Sequence, residues 1–256
     1  MSIIKRRLAV VLDKEIIAAA VLIALFGGWL LVNFASGFNL PLYLAAGFAG
    51  AALTVVFPRS GIYAMVFLLL VFANFFSLQP LMIGNVEYKF YLIDIILTAI
   101  IFGIGLRILS GRIKIYLRLG DWLMIGWLAL TAVYFIYSVR LWNGDAVLAF
   151  SSFKNYGFYS LLYFIAYLLL DTRAAWRRLA GFVGAGAAVI IGFIAYGLIT
   201  GQGLWTEITP LSTAGSRILD FNHAFYLSLV IIGGLSYLAF NRDWKGRLIY
   251  WLLPIF

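Results

Sequence analysis

Residues 16–34 read IIAAAVLIALFGGWLLVNF, a run with no charged side chain. A helix needs about 20 apolar residues to cross the hydrocarbon core of a bilayer, so this run predicts a membrane helix and, with it, a membrane fold. The residues before it, MSIIKRRLAVVLDKE, are basic, and Asp13, Lys14 and Glu15 interrupt the apolar character. The apolar part is long and no small-x-small cleavage site follows, so it does not read as a removable secretion signal. The rest of the chain has the same composition. Its 256 residues are 64% hydrophobic and 11% charged, with a mean hydropathy of +1.03, whereas soluble domains carry roughly 25% charged residues. A chain this apolar has too little polar surface to cover itself in water, so its solvent is largely lipid.

Working outward from the first run, hydropathy predicts spans at 16–35, 40–57, 61–78, 91–109, 121–139, 154–170, 179–199 and 223–240. A ninth starts at Leu248 and reaches Phe256; those residues would rise only about 14 Å as a helix. The expected fold is an all-α, polytopic membrane bundle of eight complete helices and the start of a ninth. It forms one integral membrane domain over residues 1–256 and reads as the N-terminal portion of a longer protein.

The bases set the orientation, because Lys and Arg concentrate in cytoplasmic connections. With the N-terminus inside, the inner segments hold Lys5, Arg6, Arg7 and Lys14; Arg59; Arg107, Arg112, Lys114 and Arg118; Arg173, Arg177 and Arg178; and Arg242, Lys245 and Arg247. That is 15 of the 19 bases, and only Lys89, Arg140, Lys154 and Arg217 fall outside. The net charge of +9 is therefore distributed by topology and forms no nucleic-acid-binding patch. Trp122, Trp142, Trp176, Trp205 and Trp244 fall at or near span ends, where indoles prefer the interface. The seventh span, GFVGAGAAVIIGFIAYG, lines up Gly181, Gly184, Ala185, Ala188, Gly192 and Gly197. Small residues in such a stripe predict close approach of neighbouring helices.

Polar chemistry has few places to sit. With no cysteine and one histidine there is no disulfide and no N/S metal site, and no phosphate-binding glycine loop or dinucleotide fingerprint occurs. Asp94 is the one acid inside a span, near its outer end. It either faces an outer cavity as a site residue, or reaches the outer headgroup region or pairs with Lys89 or another outer base. The longest outer connection, GQGLWTEITPLSTAGSRILDFNH (201–223), enters the eighth span with Arg217, Asp220, Asn222 and His223 close together. A guanidinium presents a planar fork suited to phosphate oxygens, and a helix start beside it adds free N–H donors. Arg217 is therefore either a diphosphate ligand or an interfacial arginine paired with Asp220. Lys154 is either a second outer base on the substrate or an interfacial anchor. His223 is either a site residue or a cap at the helix start.

The layout resembles the O-antigen ligase and O-antigen polymerase superfamily. The likeness rests on FPRSGIYAMVFLLLVFANFFSLQ (57–79), YLIDIIL (91–97), a basic inner loop after the sixth span, the glycine-rich seventh span ending YGLITGQG (196–203), and SRILDFNHAFYLSL (216–229). It covers most of the chain as a pattern of spans, and the glycine the family usually places between the arginine and the asparagine is absent here. The resemblance implies a metal-independent glycosyltransferase in the bacterial inner membrane that needs no cofactor. Its partners would be a donor glycan on undecaprenyl diphosphate, a glycan or lipid acceptor, and membrane lipids, with no nucleic acid. It implies Arg217 as the catalytic residue that offsets the leaving diphosphate, with Asp94, Lys154, Asn222 and His223 around the substrate. Further residues of the family lie beyond Phe256, so the 256-residue chain alone is expected to be inactive. The alternative is a multi-pass transporter or flippase of lipid-linked glycans or small solutes. Transporters place polar groups and broken helices near the midplane, whereas the span centres here carry no charge.

Overall fold

The computed structural model describes residues 13–77, 81–83, 86–88, 91–113, 115–142, 145–200 and 221–240; side chains at 34, 73–77, 81–88, 200, 221–224 and 235–240 are not described. The regular elements among the described residues are helices apart from one hairpin. The helices are α1 (Lys14–Ser36), α2 (Leu40–Val56), α3 (Pro58–Ser77), α4 (Leu92–Leu109), α5 (Leu119–Arg140), α6 (Ala146–Tyr156), a 3-10 turn (Phe158–Leu161), α7 (Leu162–Leu169), α8 (Arg173–Thr200) and α9 (Phe221–Phe240). Strands β1 (Leu81–Ile83) and β2 (Val86–Tyr88) pair antiparallel with Met82 opposite Glu87. The hairpin falls in an outer connection that the all-α expectation left without structure. The predicted ninth span lies outside the described residues.

Of the eight spans expected to be complete, four are helices with the length and apolarity to cross a membrane: Lys14–Asn33, Leu92–Leu109, Leu119–Arg140 and Arg173–Ile199. The sixth span, expected to run unbroken over 154–170, is a correction. Its chain is divided into α6, the 3-10 turn and α7, and α7 has only eight residues. The break falls at Gly157, where a Cβ would stand 2.9 Å from the Phe153 carbonyl oxygen and 2.9 Å from Thr131 Oγ1 on α5. Backbone groups freed by a break cannot turn to water inside lipid, so they must find partners within the protein. Trp127 Nε1 on α5 donates to the Tyr156 carbonyl (2.8 Å), and Ser160 Oγ donates to the Gly157 carbonyl (2.6 Å).

The contacts divide the chain into two compact units, Met1–Val66 with Phe75–Ala180, and Phe67–Asn74 with Gly181–Phe256. In the first unit α2 packs on α1 and α4, and α5 packs on α6. Its core is aliphatic and aromatic: Leu22, Phe26, Tyr63, Ile96, Leu97 and Ile100 have no exposed surface. Asp13 caps α1 by accepting from the Glu15 N–H (3.1 Å), and Asn39 caps α2 by accepting from the Leu42 N–H (3.0 Å). The most apolar stretch of α5 has no residue buried, and Leu123 is 71% exposed. A helix apolar on every side with so much open surface is at home facing lipid. Trp122 and Trp142 flank α5 and Trp176 sits at the start of α8, all exposed, as interfacial indoles are.

Ion pairs gather one end of the first unit. Arg59 on α3 donates through Nε to the Leu169 carbonyl at the end of α7 (2.8 Å), and pairs with Asp171 (2.7 Å) and Glu15 (3.4 Å). Arg178 on α8 pairs with Glu15 (2.7 Å) and with Asp13. Arg107 near the end of α4 donates to the Val56 carbonyl at the end of α2 (2.8 Å). The starts of α1, α3 and α8 thus meet the ends of α2, α4 and α7. Helices α1 to α4 therefore alternate in direction, as do α7 and α8.

In the second unit, the small residues of the seventh span do not behave as expected. A Cβ on Gly181, Gly184 or Gly192 would meet open space, whereas one on Gly186 would stand 3.2 Å from Leu70, and Gly197 is buried. The predicted close helix approach at Gly181, Gly184 and Gly192 is therefore corrected.

Candidate functional site

At the end of the first unit opposite the arginine cluster, the spacing YLID begins α4. Tyr91 precedes the helix, and Asp94 is its third residue. From that position a carboxylate can reach back to the cap N–H, and Asp94 Oδ2 accepts from the Tyr91 N–H at 2.8 Å. Two further donors come from the divided segment. Lys154 Nζ on α6 donates to Oδ2 (3.0 Å), and the Tyr159 hydroxyl of the 3-10 turn donates to Oδ1 (2.7 Å). The ammonium also lies 4.0 Å from the centroid of the Tyr91 ring and 5.9 Å from that of Tyr159. Asp94 is 0% exposed and Lys154 4%.

A carboxylate buried this completely is tolerable only with a countercharge and its lone pairs filled, and both conditions hold. Lys154 is likewise compensated, by a carboxylate on one side and an aromatic face on the other. The pair clamps α6 to the start of α4 and fixes the turn at Tyr159. Both groups are buried, and among the described residues they bind each other and the two tyrosines. Of the two roles open to Asp94, it pairs with an outer base; that base is Lys154. Lys154 is 4% exposed and paired with Asp94, so it is not an exposed interfacial anchor.

Arg217 lies outside the described residues. Asn222 and His223 fall in the first turn of α9, and their side chains are not described. The structure therefore brings together two of the five predicted site residues. Sequence reasoning missed Tyr91 and Tyr159 as their partners. It also missed a second site of the same construction at the other end of α4 and α5. There Asp121, third residue of α5, accepts from the Arg118 N–H (2.6 Å) and from the Tyr163 hydroxyl (2.9 Å), and is 1% exposed. The readable signal was the spacing, Tyr91-x-x-Asp94 and Arg118-x-x-Asp121, with tyrosines four residues apart at 159 and 163. No group of three or more potential metal-ligating acids, histidines or cysteines occurs among the described residues.

These elements define the class, a multi-helix membrane protein whose polar chemistry sits at helix starts. Comparison with known proteins goes no further: no family model, curated protein or solved structure matches the chain.

Proposed function

We propose that this chain belongs to a membrane glycosyltransferase of the O-antigen ligase and polymerase type, acting at the outer face of the bacterial inner membrane on glycans carried by undecaprenyl diphosphate. An acceptor hydroxyl oxygen attacks the anomeric carbon while its proton passes to a base, the bond from that carbon to the phosphate oxygen breaks, and the lipid diphosphate leaves with the electron pair. The charge that develops on it needs a positive group fixed in advance. One observation carries the assignment of that role to Arg217. Of the two outer bases considered for the diphosphate, Lys154 is consumed by Asp94, which leaves Arg217, four residues ahead of the first residue of α9. The start of α9 supplies N–H donors and the positive end of a helix dipole.

The test is Arg217→Ala and Arg217→Lys in cells that make the glycan, read as glycan on the surface. Loss of a charge-stabilising donor costs about 100-fold or more in turnover, so Arg217→Ala is expected to abolish the product. Arg217→Lys, a point charge without the fork, is expected to restore a fraction. Unchanged glycan in both variants refutes the assignment.

The divided α6–α7 segment favours a second reading, a flippase or transporter of lipid-linked glycans, because such proteins build their sites at breaks in membrane helices. Translocation of a fluorescent lipid-linked glycan by proteoliposomes, lost in Lys154→Met and kept in Arg217→Ala, would decide for it.

A further inference from the structure

A cavity of about 440 Å³ opens between α4, α5 and α7, within the range of roughly 300–1,000 Å³ typical of ligand pockets. Its wall is hydrocarbon, including Ile108 from α4, Leu117 from the connection, Ile125 from α5 and Ile165 from α7. The one charged group in the wall, Asp121, is already occupied by the Arg118 N–H and the Tyr163 hydroxyl. At the mouth the charge is reversed. The Arg118 guanidinium lies 5.4 Å from the centroid of Tyr167, a lining residue. Arg118 is exposed, and among the described residues its side chain has no carboxylate partner. Arg59 and Arg178, at the same end, are by contrast neutralised by Glu15, Asp13 and Asp171.

An apolar wall and an unneutralised guanidinium at its rim call for a molecule with both characters. A free phosphate gains nothing from the wall, and a neutral chain gains nothing from the arginine. We propose that this groove seats one anionic phospholipid, with an acyl chain between α4, α5 and α7 and the phosphodiester on Arg118. Basic pockets between membrane helices take anionic headgroups for this reason. The Tyr167 ring lies beside the guanidinium, 5.4 Å from centroid to Cζ, and Asp121 is 1% exposed, set back in the wall rather than at the rim. The site is at the opposite end of α4 from Asp94 and is independent of the glycosyltransferase reading.

The test uses the purified full chain in detergent, titrated with phosphatidylglycerol or phosphatidylcholine and read by native mass spectrometry. The expected result is one retained phosphatidylglycerol per chain, preferred about tenfold over phosphatidylcholine. Arg118→Gln should erase the preference. Arg173→Gln, at another exposed base on the same end, should not. Gly105→Leu addresses the wall, since Gly105 lines the groove and its Cβ would meet no atom within 4 Å. That variant should fold, as size-exclusion chromatography would report, and lose retention of both lipids. Equal retention of the two lipids by the parent chain overturns the proposal, as does equal loss in Arg173→Gln. So does competition by soluble glycerophosphate as effective as by the lipid. A lipid-free dimer that Gly105→Leu prevents would assign the groove to a second copy, and would overturn it as well.

Discussion

Removing Lys154 tests the buried pair most sharply. Lys154→Met keeps the length of the side chain and deletes the charge, leaving Asp94 with the Tyr159 hydroxyl at 2.7 Å and the Tyr91 N–H at 2.8 Å but no countercharge. Breaking a fully buried ion pair from one side costs about 3–5 kcal/mol. The 0% exposure of Asp94 means that no solvent screens the orphaned charge. At about 2–4 °C per kcal/mol for a chain of this size, the melting temperature of the purified protein should fall by roughly 6–20 °C. The double variant Asp94→Asn, Lys154→Met should recover part of that loss, because no charge stays buried, although the amide offers an oxygen to only one of the two donors that the carboxylate accepts on separate oxygens. The assay is thermal unfolding in one detergent, followed by far-UV circular dichroism, across the four-member cycle. A Lys154→Met protein within about 1 kcal/mol of the parent would refute the reasoning, since that is the worth of an exposed pair.

Three further outcomes follow from other parts of the fold. Gly157→Ala places a Cβ 2.9 Å from both the Phe153 carbonyl oxygen and Thr131 Oγ1, and should destabilise by about 1–3 kcal/mol; an unchanged melting temperature would contradict the close approach. Trp127→Phe keeps the ring but withdraws the N–H from the Tyr156 carbonyl, at a cost of about 1–3 kcal/mol, with faster amide exchange expected at residues 157–161. The chain has no cysteine, so single thiols report sidedness: Phe38→Cys should react with an impermeant maleimide in intact cells and Arg112→Cys only after permeabilisation, and the reverse pattern would invert the orientation.

Most helix positions were legible because lipid makes composition decisive. The run at 16–35 became Lys14–Ser36, and that at 91–109 became Leu92–Leu109. The sixth span defeated the same reasoning for a physical reason. Averaged hydropathy treats a segment as isolated, whereas the break at Gly157 depends on Thr131 and Trp127, on another helix. The stripe at 181–192 erred in the opposite sense, since small side chains permit a close neighbour without supplying one. At the site, the interval from Asp94 to Tyr91 was legible as cap spacing. The partnership with Lys154, sixty residues away, was not, because no local pattern encodes which distant base fills a buried lone pair.

The divided segment also has a consequence for biogenesis. At eight residues α7 is about 12 Å long, and the stretch leading into it carries Lys154, a residue that resists entry into lipid by about 2.5–3.5 kcal/mol at mid-bilayer. Three groups outside the segment that compensate these defects precede it in the chain: Arg59 at its far end, Asp94 for its ammonium, Trp127 for its open carbonyl. A ribosome delivering the chain from its N-terminus has therefore already released these three before the troublesome stretch emerges. Moving residues 146–169 ahead of residue 92 in a permuted gene would present it to the translocon with most of its seat still unmade.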